Sequence, residues 1–238
     1  MSFKGYGVFA GQHKRGHLRN LTGFTAAVLG ALCWPAISHA EERTILALGD
    51  SLTAGYGLNQ GEGLVPQLEG WLREQGADVS VINAGVSGDT TAGGKARLGW
   101  SLSDDVDIVL VNLGGNDMLR GLPPTETHKN LDAILTELNK RALPSILVRV
   151  PGSLNFGPAE KKAYDDAFPA LAQKHGSAFI PNFFGALEAL NDNQTAMQTL
   201  MQPDGLHPTA EGVALIVEEI GPVILRATMN DLQEDSAQ

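Results

Sequence analysis

Beyond residue 40 the chain contains no cysteine; Cys33, the one it has, lies in an N-terminal stretch of different character. For the remainder this excludes disulfides, a thiol nucleophile and Cys-rich metal sites, so stability rests on core packing. Cations are scarce as well. The 238 residues carry 17 Lys and Arg against 27 Asp and Glu, a formal charge of -10. Four of the cations (Lys4, Lys14, Arg15, Arg19) fall in the first 40 residues, which hold no acid, leaving 13 against 27, or -14, for the rest. That sign argues against nucleic acid and anionic membrane as partners, since both select basic surfaces. Internal repeats, low-complexity segments and linkers are absent too. What is there, 43% hydrophobic and 18% charged residues, fits an ordinary globular protein with a sizeable core.

The N-terminus has the three parts of an export signal: a basic stretch ending at Arg19, an apolar run from Leu21 to Ile37, and Ser38-His39-Ala40 before Glu41-Glu42. Residues 1–40 are therefore expected to be a signal peptide cleaved after Ala40, giving a periplasmic or secreted protein without stable membrane insertion. A retained anchor fits less well, because the run is short of the ~20 residues a span needs and Pro35 interrupts it. A lipoprotein through Cys33 fits less well again, because Leu32 stands where a small residue is expected. One domain is expected over 41–230, followed by a polar tail over 231–238.

From Glu42 onward, short apolar runs alternate with longer amphipathic ones. Strands are expected at Thr44–Leu48, Val79–Asn83, Asp107–Leu113, Ser145–Val150 and Ala178–Ile180, all rich in Val, Ile and Leu as strands covered on both faces are. Helices are expected at Val65–Gln75, Thr91–Ser101, Thr125–Arg141, Ala159–His175 and Thr209–Met229, with a shorter one over Phe183–Asn191. Such alternation argues a parallel sheet with helices on both faces. In these sheets ligands bind beyond the carboxyl ends of the strands, so the residues following each strand are where chemistry is sought.

Those positions read Gly49-Asp50-Ser51-Leu52-Thr53, Asn83-Ala84-Gly85-Val86-Ser87-Gly88-Asp89-Thr90 and Gly114-Gly115-Asn116-Asp117; before the last helix stands Asp204-Gly205-Leu206-His207-Pro208. Acyl transfer needs a nucleophile, a base, a group to orient the base, and donors for the developing oxyanion. Ser51 can attack and present its own N–H. His207 can take the proton, and Asp204, three residues before it, lies on the same side if the segment forms a helical turn. Gly88 offers an unobstructed N–H and Asn116 a carboxamide donor. Each part also has a plainer reading. A serine after a strand caps the next helix, Asn116 and Asp117 can do the same, and Asp204-Gly205 is an ordinary turn pair. Of the histidines beyond residue 40, His128 and His175 fall on polar helix faces, where solvation is expected, and His207 falls in a loop.

Taken together, in order, the four blocks G-D-S-L-T (49–53), S-G-D-T (87–90), G-G-N-D (114–117) and D-G-L-H-P (204–208) resemble the SGNH hydrolases, also called GDSL lipases/esterases. Within that family the stretches I-L-A-L-G-D-S-L-T-A-G-Y-G and V-L-V-N-L-G-G-N-D-M-L-R-G are most similar to the bacterial periplasmic thioesterase I/lysophospholipase L1 and arylesterase group. The resemblance implies a flavodoxin-like three-layer α/β/α sandwich with a five-stranded parallel sheet, and no metal or cofactor. It implies a serine esterase acting on carboxylic esters or thioesters, with Ser51, Asp204 and His207 as triad and Ser51, Gly88 and Asn116 as oxyanion hole. The expected partner is a small ester, thioester or lipid substrate. A lysophospholipase or a carbohydrate O-deacetylase would use the same chemistry, and a non-catalytic binding protein would use only the scaffold.

For the substrate itself, Met118, Leu119, Leu122, Leu154, Phe156 and Leu206 are candidates to hold an acyl chain or an aromatic ring, or else to close the core edge. The loop Leu119–Pro124 resembles one that closes over acyl chains in the relatives. Two departures bear on substrate preference: Val65 stands where close relatives carry tryptophan, and Pro151–Gly157 replaces their compact P-x-N-Y-G.

Overall fold

The computed structural model describes residues 42–153, 155, 157–190 and 199–235. The export-signal reading, Leu154 and Phe156 lie outside the described residues.

Five parallel strands form one sheet: β1 (Arg43–Gly49), β2 (Val79–Gly85), β3 (Ile108–Asn112), β4 (Ser145–Val148) and β5 (Ala178–Ile180), ordered β2-β1-β3-β4-β5. Alternate residues of each strand face opposite layers. Ile45 and Ala47 of β1 join Ile108 and Leu110 of β3 beneath α2 (Leu64–Glu74) and the C-terminal helix, here α8 (Ala210–Asp235). Leu46 and Leu48 join Val109 and Val111 beneath α3 (Thr91–Ser101), α5 (Pro124–Lys140) and α6 (Pro158–His175). The continuous apolar runs are explained by this double burial, each fully buried Leu or Ile contributing roughly 1.5–3 kcal/mol. Close approach of α2 and α8 depends on Gly221, where a Cβ would come within 2.7 Å of the Trp71 ring.

The strand order reverses between β1 and β3, which places the switch point of the doubly wound sheet at the carboxyl ends of β2, β1 and β3. Two short helices sit there, α1 (Ser51–Ala54) and α4 (Gly115–Leu119), and α7 (Gly185–Glu188) covers only part of the expected 183–191 element. At the C-terminus the helix continues past Met229 to Asp235.

One expectation fails clearly. The His175 side chain is not solvated but 7% exposed, wedged between α5 and α6, with Nε2 2.6 Å from Asp132 Oδ1 and Nδ1 accepting from Asn139. The sequence pattern assigns His175 to a polar face; a partner carboxylate on the neighbouring helix turns that face inward. His128 is exposed.

Candidate active site

Ser51 is the first residue of α1, so it begins the helix rather than capping it. The cap is Asp50, whose Oδ1 accepts from Leu52 N at 3.0 Å. The turn from β1 into α1 is tight: a Cβ on Gly49 would overlap the Thr53 side chain and reach within 3.0 Å of the Asn112 carbonyl oxygen. As a first-turn residue, Ser51 keeps an N–H that the helix cannot satisfy.

His207 arrives from the segment before α8. Its Nε2 stands 2.7 Å from Ser51 Oγ, and its Nδ1 stands 2.7 Å from Asp204 Oδ2. Asp204 and His207 are not on a helical turn. Asp204 Oδ1 accepts from Leu206 N at 2.9 Å and from His207 N at 3.0 Å, a side-chain-closed turn in which Gly205 takes φ +68°. The segment is pinned by the Met201–Pro208 bridge and by Gln202 N donating to the His207 carbonyl at 2.8 Å. Because a carboxylate only accepts, the imidazole proton sits on Nδ1, which leaves the Nε2 lone pair for the Ser51 hydroxyl. The His207 hydrogen bond, helped by the two backbone donors, pulls the Asp204 carboxyl down to about 2. Tyr56 lies against the imidazole, ring centroids 4.7 Å apart, and limits its swing.

The three donor positions sit at different strand ends. Gly88 occupies the third position of a turn closed by Asp89 N and the Val86 carbonyl at 2.9 Å, with φ +81° that only glycine adopts without strain. Asn116 lies in α4 after Gly114, whose φ is +120°. A Cβ there would meet the Tyr164 hydroxyl at 2.7 Å. One hydrogen of the Asn116 carboxamide goes to Asp50 Oδ2 at 3.2 Å, leaving the second for a ligand. Asp50 is 2% exposed, and burial raises its carboxyl to about 6 against the lowering effect of its Leu52 and Asn116 bonds. Asp117 is fully buried and is not a cap. It accepts from Thr91 N at 2.8 Å and from the Thr91 and Thr127 hydroxyls, fastening α4 to α3 and α5.

A cleft of about 450 Å³ opens over Ser51, Asn116 and His207. Met118, Leu119 and Leu206 line it, as do Tyr56, Leu52, Val150, Phe184, Leu187 and Met201, none of which the sequence singled out. Leu122 lines a second cavity of about 300 Å³ that shares Met118 with the first. The lining is mostly apolar with a few polar groups, Ser51, Asn116, His207 and Glu188 among them, the pattern of a small-molecule site. Among the described residues no three His, Cys, Asp or Glu side chains stand together as a metal site. Asp50 and Tyr56 are the functional positions least visible beforehand. An acid before a serine signals only capping, and nothing local connects Tyr56 to a histidine distant in sequence.

Chemically, a hydroxyl within hydrogen-bond reach of an imidazole held by an ionised carboxylate, with amide donors nearby, is suited to acyl transfer. Comparison with known proteins agrees. The model of the GDSL-like lipase/acylhydrolase family matches residues 47–215. The chain is 33% identical over 186 residues to esterase TesA of Pseudomonas aeruginosa, covering 78% of this chain and 89% of that protein. It is 32% identical over 180 residues to thioesterase 1/protease 1/lysophospholipase L1 of Escherichia coli, covering 75% and 82%. Among solved structures, AlinE4, an SGNH-hydrolase family esterase, superposes with a TM-score of 0.64 at 42% identity, covering 80% of this chain and 98% of that one.

Proposed function

The chain belongs to the GDSL-like lipase/acylhydrolase family and is an ester hydrolase; from that premise we propose that it works through an acyl-enzyme on Ser51, with His207 as base and Asp204 as its orienting carboxylate. The observation that carries this is the unbroken row from Asp204 Oδ2 through the imidazole to Ser51 Oγ, 2.7 Å at each step. His207 takes the hydroxyl proton as Ser51 Oγ bonds to the carbonyl carbon. The carbonyl oxygen gains the negative charge and is held by the Ser51 and Gly88 N–H groups and the free Asn116 N–H. The alcohol or thiol leaves with the proton from Nε2. Water, deprotonated by the same nitrogen, then releases the acid and restores Ser51.

The apolar lining around Met118, Leu119 and Leu206 supports an aryl or short- to medium-chain acyl group over a carbohydrate, which would ask for hydrogen-bonding walls. Met118 and Leu119 fall just after Asn116, so the cleft wall and the donor share one short element. The basic, apolar and small-residue order of residues 1–40 supports export to the periplasm or medium, with N-terminal sequencing of the mature protein expected to begin at Glu41.

A panel of p-nitrophenyl esters of rising chain length, an acyl thioester, a lysophospholipid and acetyl-xylan tests the assignment alongside Ser51→Ala. Turnover of aryl and short acyl esters that Ser51→Ala abolishes supports it. Preference for lysophospholipid or acetyl-xylan favours the two alternatives of the same chemistry. Binding without turnover across the whole panel would overturn the Ser51 acyl-enzyme reading.

A further inference from the structure

Arg97, on the second turn of α3, touches none of the groups assigned a chemical role, yet it is bound to the supports of two of them. Its Nε donates to Asp89 Oδ2 at 2.7 Å, Nη1 to the Ala84 carbonyl at 2.7 Å and Nη2 to the Gly49 carbonyl at 2.8 Å. Gly49 is the last residue of β1, two before Ser51. Ala84 is next to last in β2, and Asp89 ends the turn that carries Gly88. The Gly49 carbonyl also accepts from Val86 N at 3.1 Å, so the first residue of that turn and the guanidinium share one acceptor. The Arg97 side chain is 22% exposed and that of Asp89 13%. This is not a solvated surface pair, whose loss would matter little.

We propose that Arg97 is a positioning residue for the oxyanion site: its planar fork fixes the Gly88 turn against the β1 tip that carries Ser51. The inference rests on the acyl-enzyme reading given above. The two N–H groups aimed at one oxygen come here from two strand ends, and past β2 the ladder continues through the Val86–Gly49 bond without reaching Gly88. Beyond those ends something must set the spacing between the Ser51 and Gly88 amides. Arg97 spans the gap with three donors in fixed relation. Lysine presents a compact charge on a flexible stem and cannot hold the same three acceptors in one plane. A misplaced donor weakens the transition state more than the bound ester, because the charge on oxygen appears only during reaction.

The test compares wild type, Arg97→Lys and Arg97→Met by kcat and KM on p-nitrophenyl acetate, each corrected for folded fraction by urea melts. It adds Ki for an alkyl boronic acid, which forms a tetrahedral adduct, and for a ground-state alcohol inhibitor. The expected result for Arg97→Met is a kcat lower by about 10–100-fold, a boronate Ki raised by a similar factor, and KM and alcohol Ki within about 2-fold. Arg97→Lys should lie nearer Arg97→Met than wild type. A purely structural role predicts fewer folded molecules with unchanged kcat per folded enzyme, and that result overturns the proposal. If Arg97→Met does not fold, Asp89→Asn, which removes the ion pair while leaving both backbone contacts of Arg97, should show the same split at a smaller size. Unchanged kcat and boronate Ki there would overturn it equally. Ser51→Ala serves as the control: a boronate Ki equal to that of wild type would instead sink the underlying Ser51 assignment.

Discussion

Asp50→Asn should make this enzyme more stable at neutral pH and less active. Asp50 is 2% exposed and accepts from one backbone amide and one carboxamide, too little to offset the loss of water around its charge. Its carboxyl is raised from 3.8 to about 6 in the fold, so the folded chain holds this proton more tightly than the unfolded chain. Between those values the native state binds more protons, and stability falls as pH rises. The cost is absent below about pH 3 and complete above about pH 7. At ~1.4 kcal/mol per pH unit, the rise from 3.8 to about 6 corresponds to roughly 3 kcal/mol. Asparagine carries no such charge and can still accept from Leu52 N. The difference in unfolding free energy, variant minus wild type, should therefore rise by roughly 2–3 kcal/mol between pH 4 and pH 8 in urea titrations. Turnover should fall, by about 10-fold or more, because the Asn116 carboxamide loses its charged anchor. A stability difference that stays flat with pH would refute the burial argument, and unchanged kcat would refute the anchoring role.

Asn116→Ala should lower kcat by about 10²–10³ with KM little changed, read by steady-state kinetics on p-nitrophenyl esters. Asp204→Asn should cost about 10³–10⁴ in kcat, because an amide can donate to Nδ1 and stabilise the wrong tautomer. With its carboxyl held near 2, Asp204 stays ionised through the working range, so the acid limb of the wild-type kcat/KM profile should not extend to that value. Gly88→Ala places an L side chain at φ +81°; it should cost about 1–2 kcal/mol in urea melts and lower kcat as the turn shifts. Gly49→Ala forces a methyl into the Thr53 side chain and should destabilise by about 1–3 kcal/mol, with activity falling alongside.

Much of the architecture is legible because β1, β3 and β4 are buried on both faces and therefore carry the runs Ile45–Leu48, Ile108–Val111 and Ile146–Val148 of apolar residues. Helices such as Thr91–Ser101 and Pro124–Lys140 lie within a residue of their expected ends, being long enough to show their period. The α1 and α4 helices, of four and five residues, are too short to show a helical period and are not among the helices the sequence pattern predicts. The three-residue spacing of Asp204 and His207 fits either a helical turn or an Asx-closed turn, and the backbone bonds to Asp204 Oδ1 select the second. His175 and Arg97 share another cause: a charged or polar side chain on a helix reads as solvent-facing until its acceptors, on distant segments, are known. Asp50 shows the same limit at the site itself. Its place before Ser51 was visible, but its burial and its hold on Asn116 depend on residues 66 apart in sequence coming together.

In the proposed mechanism one hydroxyl, that of Ser51, carries the acyl group during turnover. Acid-quenching the enzyme within milliseconds of mixing with p-nitrophenyl butyrate, followed by peptide mass mapping, tests it most directly. A butyryl group is expected on the peptide containing Ser51, appearing with a burst of p-nitrophenol and missing from Ser51→Ala. Full turnover with no acylated peptide, or an acyl group on a different side chain that persists in Ser51→Ala, would contradict it.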